Sequence, residues 1–471
     1  YEIVSRDWSS DVCSSDLTPI LGHRLVWVAV VVGLWFSAAN SLPGTEVTNV
    51  TLLTPPRVNS EDINVVRVHR VSSPFYQTGN SFHSEGDPFN RDGTRLLFLE
   101  LDSAHSKAPL TARGFVSGKL QDLTAWKTFD EYRLAARPVL KVCDLSDTPE
   151  FSFHWSPHPG EENIVYALRK SRKMVIRINV DTQVETDVVS YDPGDGRDAS
   201  PRACGWTTDN VLIVVMQDRG APAFGGGFEV DVLKKTRTPF ARWPQRTKPD
   251  NDSRGEWPTQ FTASEFSDQW RRYQKNNLGS GHGARSPSGR FAIVNPGITS
   301  AQGVVDTVTG KYFHDDPTKG GDADNRCAPY LPNYCNWNAS EHWYVMNSGG
   351  EQGVGGKPAF GSQPEIHDFP IWQVHFRGDQ NPAQPFAYRK LMVVRSSCGW
   401  YDAARNLRYM EGSRIHVNVS RNGRWLYYVA TDGNYHEVDY EASLVTPSLG
   451  YVATNWSTCG VFVAECAPGT K

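Results

Sequence analysis

Two of the chain's 13 histidines stand just ahead of a recurring turn: Gly281-His282 leads into Ser286-Pro287, and His416 leads into Ser420. Tyr334 holds the corresponding place ahead of Trp337, and His83 lies in an earlier segment of the same kind. Imidazole and phenol groups move protons near neutral pH. Around them stand Arg202, Asn336, His154, Arg285 and His105, which can neutralise or hydrogen-bond a carboxylate. That combination suits β-elimination on a uronic acid. The proton beside the C6 carboxylate becomes removable once the carboxylate is neutralised, and a second group protonates the departing glycosidic oxygen. On this reading His282 is the base or acid, with His416, Tyr334 and His83 as catalytic partners. Arg202, Asn336, His154, Arg285 and His105 then bind substrate. Plainer roles stay open: His154 beside Trp155 also fits a core histidine, and Tyr334 also fits a brace for the Cys327 to Cys335 loop.

Such residues are far apart in the chain, so a repeated element must gather them. One phrase recurs six times, an aromatic or bulky residue followed by a Ser/Asn/Thr and Asp/Gly turn and a β-rich run. The copies include DPFNRDGTRLLFLELD, CGWTTDNVLIVVMQD and HVNVSRNGRWLYYVATD. The residues before the turn are Phe89, Trp155, Trp206, Arg285, Trp337 and Val419, at intervals of 66, 51, 79, 52 and 82. A unit of about fifty residues with a short first turn matches a four-stranded propeller blade, and longer intervals carry insertions. The alternation in KMVIRINVDTQVETDVV and QGVVDTVTGKYF supplies outer strands. The expected fold is an all-β propeller of seven four-stranded blades with short helical insertions at 119–137 and 265–276; eight blades remain an alternative. Val47 to Leu53 and Ile63 to Val71 should pair with Tyr451 to Ala453 and Gly460 to Ala464 in a closing blade, leaving few free edges. Along the first strands, one column of the alignment then holds Gly86, Ser152, Ala203, His282, Tyr334 and His416. A second column on the same face holds Pro88, His154, Gly205, Ala284, Asn336 and Asn418.

The phrases DPFNRDGTRLLFLELD, HGARSPSGRF and SRNGRWLYYVATDG resemble the PDG-type repeats of Tol-system propellers and of propeller-fold polysaccharide lyases, particularly oligogalacturonate lyase and its ulvan-lyase relatives. LTPPRV and FYQTGNSFHSEGDPFNRDG are similar to the start of oligogalacturonate lyases. The resemblance spans most of residues 47–432. It implies a catalytic-site histidine at His282 and a late metal-binding histidine at His416, although Arg414 replaces the other histidine of that cluster, leaving its transition-metal site incomplete. His83 with His105 is similar to a histidine pair of ulvan-type lyases, without their following Tyr and Arg.

Composition narrows the alternatives. With 40 Gly, 30 Pro and 21% charged residues in 471, the chain is turn-rich and unlike a helical bundle. Its net charge of -4 gives no global basic field, so nucleic acid is not an expected partner. The candidate columns contain no Asp or Glu, which disfavours a two-carboxylate glycosidase. The absence of a G-x-S-x-G elbow disfavours a propeller peptidase. The competing reading is a non-catalytic envelope propeller that binds glycan or protein. Residues 1–17 resemble a translated sequencing adaptor. Residues 18–39 follow the basic, apolar, small-residue order of a signal peptide, and 40–471 form the propeller domain. The twelve apolar residues at 25–36 are short for a membrane span, so a secreted or periplasmic protein without a mature span is expected. Cys327 with Cys335 and Cys459 with Cys466 are candidate disulfides, with zinc the rival. No cofactor is required by these residues; a divalent cation such as Ca2+ has candidate ligands in Asp315-Asp316 and Asp322 with Asp324. The expected partner is an acidic polysaccharide or oligosaccharide.

Overall fold

The computed structural model describes residues 47, 50–57, 59–73, 76–78, 88–102, 114–140, 147–148, 153–192, 199–206, 210–218, 227–240, 286–288, 290–294, 303–306, 309, 311–314, 332–348, 366–397, 401–402, 407–408, 415, 417–431, 445–446, 451–452 and 459–468. Residues 1–39 and the 265–276 insertion lie outside them.

Two strands come first, β1 (Val50–Leu52) and β2 (Ile63–Arg70). The first sheet follows with β3 (Tyr76–Thr78), β4 (Arg95–Asp102), β5 (Gly114–Lys119) and β6 (Arg137–Leu140). The second holds β7 (His154–Trp155), β8 (Ile164–Arg169), β9 (Met174–Asn179) and β10 (Glu185–Ser190). The third holds β11 (Ala199–Trp206), β12 (Val211–Asp218), β13 (Gly227–Asp231) and β14 (Thr236–Phe240). The fourth has β15 (Phe291–Val294), β16 (Gly303–Asp306) and β17 (Tyr312–His314). In the fifth are β18 (Pro332–Trp337), β19 (Trp343–Ser348), β20 (Ile366–Phe376) and β21 (Phe386–Ser397), with β1 added at the outer edge. After a small hairpin, β22 (Tyr401–Asp402) and β23 (Leu407–Arg408), the sixth sheet opens with β24 (Asn418–Val419) and β25 (Trp425–Thr431). A second hairpin, β26 (Val445–Thr446) and β27 (Tyr451–Val452), precedes β28 (Cys459–Pro468). All named pairings are antiparallel, and β2 returns from the chain start to pair with β28 at residues Ile63↔Pro468 through Arg70↔Phe462.

The faces of these sheets establish a ring. Consecutive residues of one strand point to opposite faces, and both faces are buried. In β4, Leu96 and Phe98 pack towards the sixth sheet, whereas Leu97 packs towards the second. In β25, Leu426 and Tyr428 pack towards the fifth sheet, whereas Tyr427 and Val429 pack towards the first. Apolar clusters thus join sheets one and two, two and three, four and five, five and six, and six and one. Sheets one, two, five and six are each packed between two neighbours, and the last touches the first. The fold is a β-propeller.

Each of the six turn phrases belongs to its own sheet, so six such sheets are present among the described residues where seven were expected. Ends do meet as expected, but the meeting strands complete the sixth sheet rather than form another. Val50–Leu52 flanks the fifth sheet, and Tyr451–Val452 belongs to a separate hairpin. Cys459 and Cys466 lie on one extended strand seven residues apart, roughly 23 Å at the rise of a β-strand, so they do not pair; Cys466 is a free, buried thiol. Helices occur where the 119–137 insertion predicted them. α1 (Leu120–Leu123) precedes α2 (Phe129–Ala135), whose start is fixed by a Thr128/Glu131 capping box. The Tyr132 hydroxyl of α2 donates to buried Glu100. Gly118 permits the packing, because a Cβ there would lie 2.4 Å from the Ala135 carbonyl oxygen. Among the described residues no helix is long and apolar enough to cross a membrane.

A buried polar clamp holds the chain start between sheets five and six. Arg389 donates to the carbonyls of Pro55, Pro56 and Ile63 at 3.2, 3.2 and 3.0 Å and to Gln373 Oε1 at 2.7 Å. Asp62, fully buried, meets His375 Nε2 at 2.7 Å and Arg389 Nε at 3.4 Å. Burial pushes His375 below its ordinary value against the pull of Asp62, and Arg389 adds to the lowering.

Candidate functional site

The described turn phrases share a common construction. In five of the six phrases the residue after the turn residue closes the turn by donating its N–H to the start of the second strand: Asn90 to Arg95, Ser156 to Ile164, Ser286 to Phe291, Asn338 to Trp343 and Ser420 to Trp425, all within 2.8–3.2 Å. Asn90, Ser286 and Ser420 also cap the returning strand with their side chains, accepting from Arg95, Phe291 and Trp425. Gly93 and Gly423 occupy positive φ, 69° and 70°, at equivalent places in the first and sixth turns. Glu341 occupies that place in the fifth with φ 61°. Its carboxylate accepts from the Ser288 N–H and, at 2.8 Å, from the Ser288 hydroxyl of the fourth turn.

Neighbouring turns are tied in the same order as the sheets. Asn90 Nδ2 donates to the Glu162 carbonyl at 2.9 Å, Ala339 N to the Arg421 carbonyl at 2.9 Å, and Asn422 Nδ2 to the Asp92 carbonyl at 2.8 Å. The turn tryptophans reach backwards: Trp155 Nε1 donates to the Pro88 carbonyl and Trp206 Nε1 to the Trp155 carbonyl, both at 3.0 Å. This explains tryptophan at the turn, since one indole fills the inter-sheet gap and satisfies a carbonyl of the preceding blade.

The sequence-derived candidates divide into three groups. His282, His416, His83, Arg285 and His105 lie outside the described residues. Arg202, Tyr334 and Asn336 are placed as backbone on first strands, Arg202 on β11 and the other two on β18. Both strands carry a bulge at the same register. β11 has its extra residue at Arg202, between Pro201↔Met216 and Ala203↔Val215, and β18 has its own at Asn333, between Pro332↔Ser348 and Tyr334↔Asn347. A bulge re-aims the chain beside it, and here it immediately precedes the column residues Ala203 and Tyr334. His154 is fully described. It sits on β7 opposite Tyr166, is buried, and lines a pocket at the turn-side mouth of the ring.

That pocket has a cavity volume of about 40 Å³. Phe89, Trp155 and Trp206 form its apolar wall, from sheets one, two and three. Its polar wall is His154 and Ser156 from the second sheet, Arg91 from the first and Arg421 from the sixth. Behind Ser156 lies a saturated carboxylate. Glu161 accepts from Ser156 Oγ at 2.6 Å and Arg177 at 2.8 Å, with His158 Nδ1 at 3.4 Å and Tyr166 Oη at 3.5 Å. Burial favours its neutral form, but the Ser156 hydrogen bond and the Arg177 charge outweigh burial and hold it below the usual range. Burial and the adjacent Glu161 push Tyr166 up to about 12. Glu161 therefore stays ionised as a brace, and Tyr166 keeps its proton.

No family model and no curated protein matches the chain. Among solved structures it is similar to an oligogalacturonate lyase from Vibrio parahaemolyticus, with 11% identity, 90% of this chain and 98% of that one covered, and a TM-score of 0.46. It is also similar to an oligogalacturonate lyase in complex with manganese, with 10% identity, 90% and 99% covered, and a TM-score of 0.38. A third likeness is to the WD40 repeats of RRP9, with 8% identity, 86% and 100% covered, and a TM-score of 0.33.

Among the described residues no group of three or more His, Cys, Asp or Glu is placed to hold a metal ion. The acidic pairs at 315–316 and 322–324 lie outside those residues. Sequence reasoning passed over Arg91, Arg421, Ser156 and Glu161. The first two stand two residues after the aligned turn residues Phe89 and Val419, so the alignment already contained them.

Proposed function

We propose that this chain is an exported lyase that cleaves a uronic-acid polysaccharide by β-elimination. The observation supporting it is the shared register of the first strands. The described turns share one construction, and on both β11 and β18 a bulge directly precedes the column that carries Tyr334 and, by alignment, His282 and His416. A radial fold brings residues separated by 52 and 82 positions in the alignment to a common axis.

In this mechanism Arg202 and Asn336, with Arg285, neutralise the C6 carboxylate and so acidify the neighbouring C5 proton. His282 takes that proton. Electrons from the C5–H bond form the C4–C5 double bond as the C4–O bond breaks, and His416 or Tyr334 delivers a proton to the leaving oxygen. His83, His105 and His154 contribute further contacts to the sugar chain. The segment 18–39 directs export in this proposal, with the mature chain starting near Asn40. The test is to incubate purified protein with pectate, ulvan and a glucuronate polymer and to weigh the products. Elimination gives fragments one water lighter than hydrolysis does; intact polymers across the panel would reject the lyase reading and leave the binding propeller.

A further inference from the structure

The pocket at the turn-side mouth has a charge imbalance that the turns do not require. Arg91 and Arg421 occupy the same place in the turns of sheets one and six, and those two turns are bonded directly through Asn422 and Asp92. In the other four phrases the equivalent residue is Pro157, Thr208, Pro287 or Ala339, and the described turns at Pro157, Pro287 and Ala339 form without a cation there. Arg91 Nη1 is shielded from solvent and has no hydrogen-bond partner within the protein. Nearby acids are engaged elsewhere. Asp92 Oδ1 accepts from the Thr94 N–H and hydroxyl at 3.1 and 2.6 Å, Glu161 is saturated as described, and Glu162 accepts from Gly160 N at 2.9 Å. Among the described residues neither arginine has an acidic partner.

A shielded guanidinium N–H with no acceptor in the protein can donate to an anion. We propose that this mouth of the ring is a binding site for a small carboxylate, held between Arg91 and Arg421 with His154 beside them. A planar carboxylate matches the two-nitrogen edge of a guanidinium. The indole N–H groups of Trp155 and Trp206 are already spent on backbone carbonyls, so these rings offer apolar surface to the ligand's carbon skeleton. The cavity volume of about 40 Å³ suits a carboxylate-sized group and not a polymer. The site lies at the turn end of the first strands and shares only His154 with the residues proposed to contact the sugar chain; its binding test stands whether or not the chain is a lyase.

Calorimetric titration with glucuronate, acetate, glucose and inorganic sulfate tests this. Glucuronate or acetate should bind, and glucose should not. The double variant Arg91→Gln/Arg421→Gln should lose roughly tenfold or more in carboxylate affinity, as expected for removal of charge-assisted contacts. Its unliganded melting temperature should stay level or rise, because no internal partner is lost. Equal binding by glucose, binding of sulfate but of no carboxylate, or unchanged affinity in the double variant would overturn the assignment. A drop in the unliganded melting temperature would also overturn it, by showing that the arginines serve the fold. Because the readout is binding, failure here is separable from failure of the lyase assay.

Discussion

Replacing Arg389 with methionine keeps the length of the side chain and removes its charge and donors. In the clamp this strips hydrogen bonds from the carbonyls of Pro55, Pro56 and Ile63 and leaves Asp62, fully buried, without its cation. Removing one partner of a buried pair costs about 3–5 kcal/mol, because the remaining charge stays desolvated. Unfolding entropy of about 2.1 cal/mol/K per residue gives a domain of about 400 residues roughly 0.8 kcal/mol/K, so a loss of about 4 kcal/mol lowers Tm by about 5 °C. Scanning calorimetry of the wild type, Arg389→Met, Asp62→Asn and the double variant measures it. The double variant should melt above Arg389→Met, since it no longer buries an unmatched carboxylate. An unchanged Tm in Arg389→Met, or strict additivity in the double variant, would refute the clamp as the fastening of the chain start.

Other consequences are open to measurement. His375 has a folded pKa below its ordinary value of about 6.5, so its contribution to stability is complete above that value and is lost as pH falls through the folded pKa. Melting curves should show a decline below about pH 6.5 that flattens in His375→Gln. At Glu341, alanine keeps the positive φ and loses the carboxylate bonds to Ser288, whereas glycine relieves the backbone; chemical denaturation should find alanine the worse by about 1 kcal/mol. Gly118→Ala forces a Cβ against the Ala135 carbonyl and Leu123, and should cost several times the roughly 0.5 kcal/mol typical of surface changes, seen in the same experiment.

The turn phrase was legible because its chemistry is local. A Ser or Asn that caps the returning strand and a Gly at positive φ both leave marks within five residues, as in Ser420 to Trp425 with Gly423. The pairing of the chain ends was readable because Ile63–Arg70 and Cys459–Pro468 alternate like strands with no sequence neighbour to pair with. Which sheet received them was not readable, since Val50↔Val394 and Arg70↔Phe462 are contacts across most of the chain. A disulfide between Cys459 and Cys466 looked like a hairpin staple because spacing does not distinguish two strands from one long one. Of the candidate site, strand register put Tyr334 and Asn336 on a first strand, where β18 carries them, whereas Arg202, expected in an entry loop, lies on β11. The bulge that sets their approach has no signature in the residues themselves, because it is defined by the partner strand. Arg91 and Arg421 were visible as residues and not as a site, since their meaning depends on two turns meeting across the ring closure.

The central claim, that the first strands assemble an elimination site, is met most directly by following ultraviolet absorbance during incubation with a panel of uronate polymers. New absorbance from the unsaturated product, abolished by His282→Ala in a protein that still melts like the wild type, is the expected result. Absorbance that persists in His282→Ala, or a wild type silent on every polymer, would contradict it.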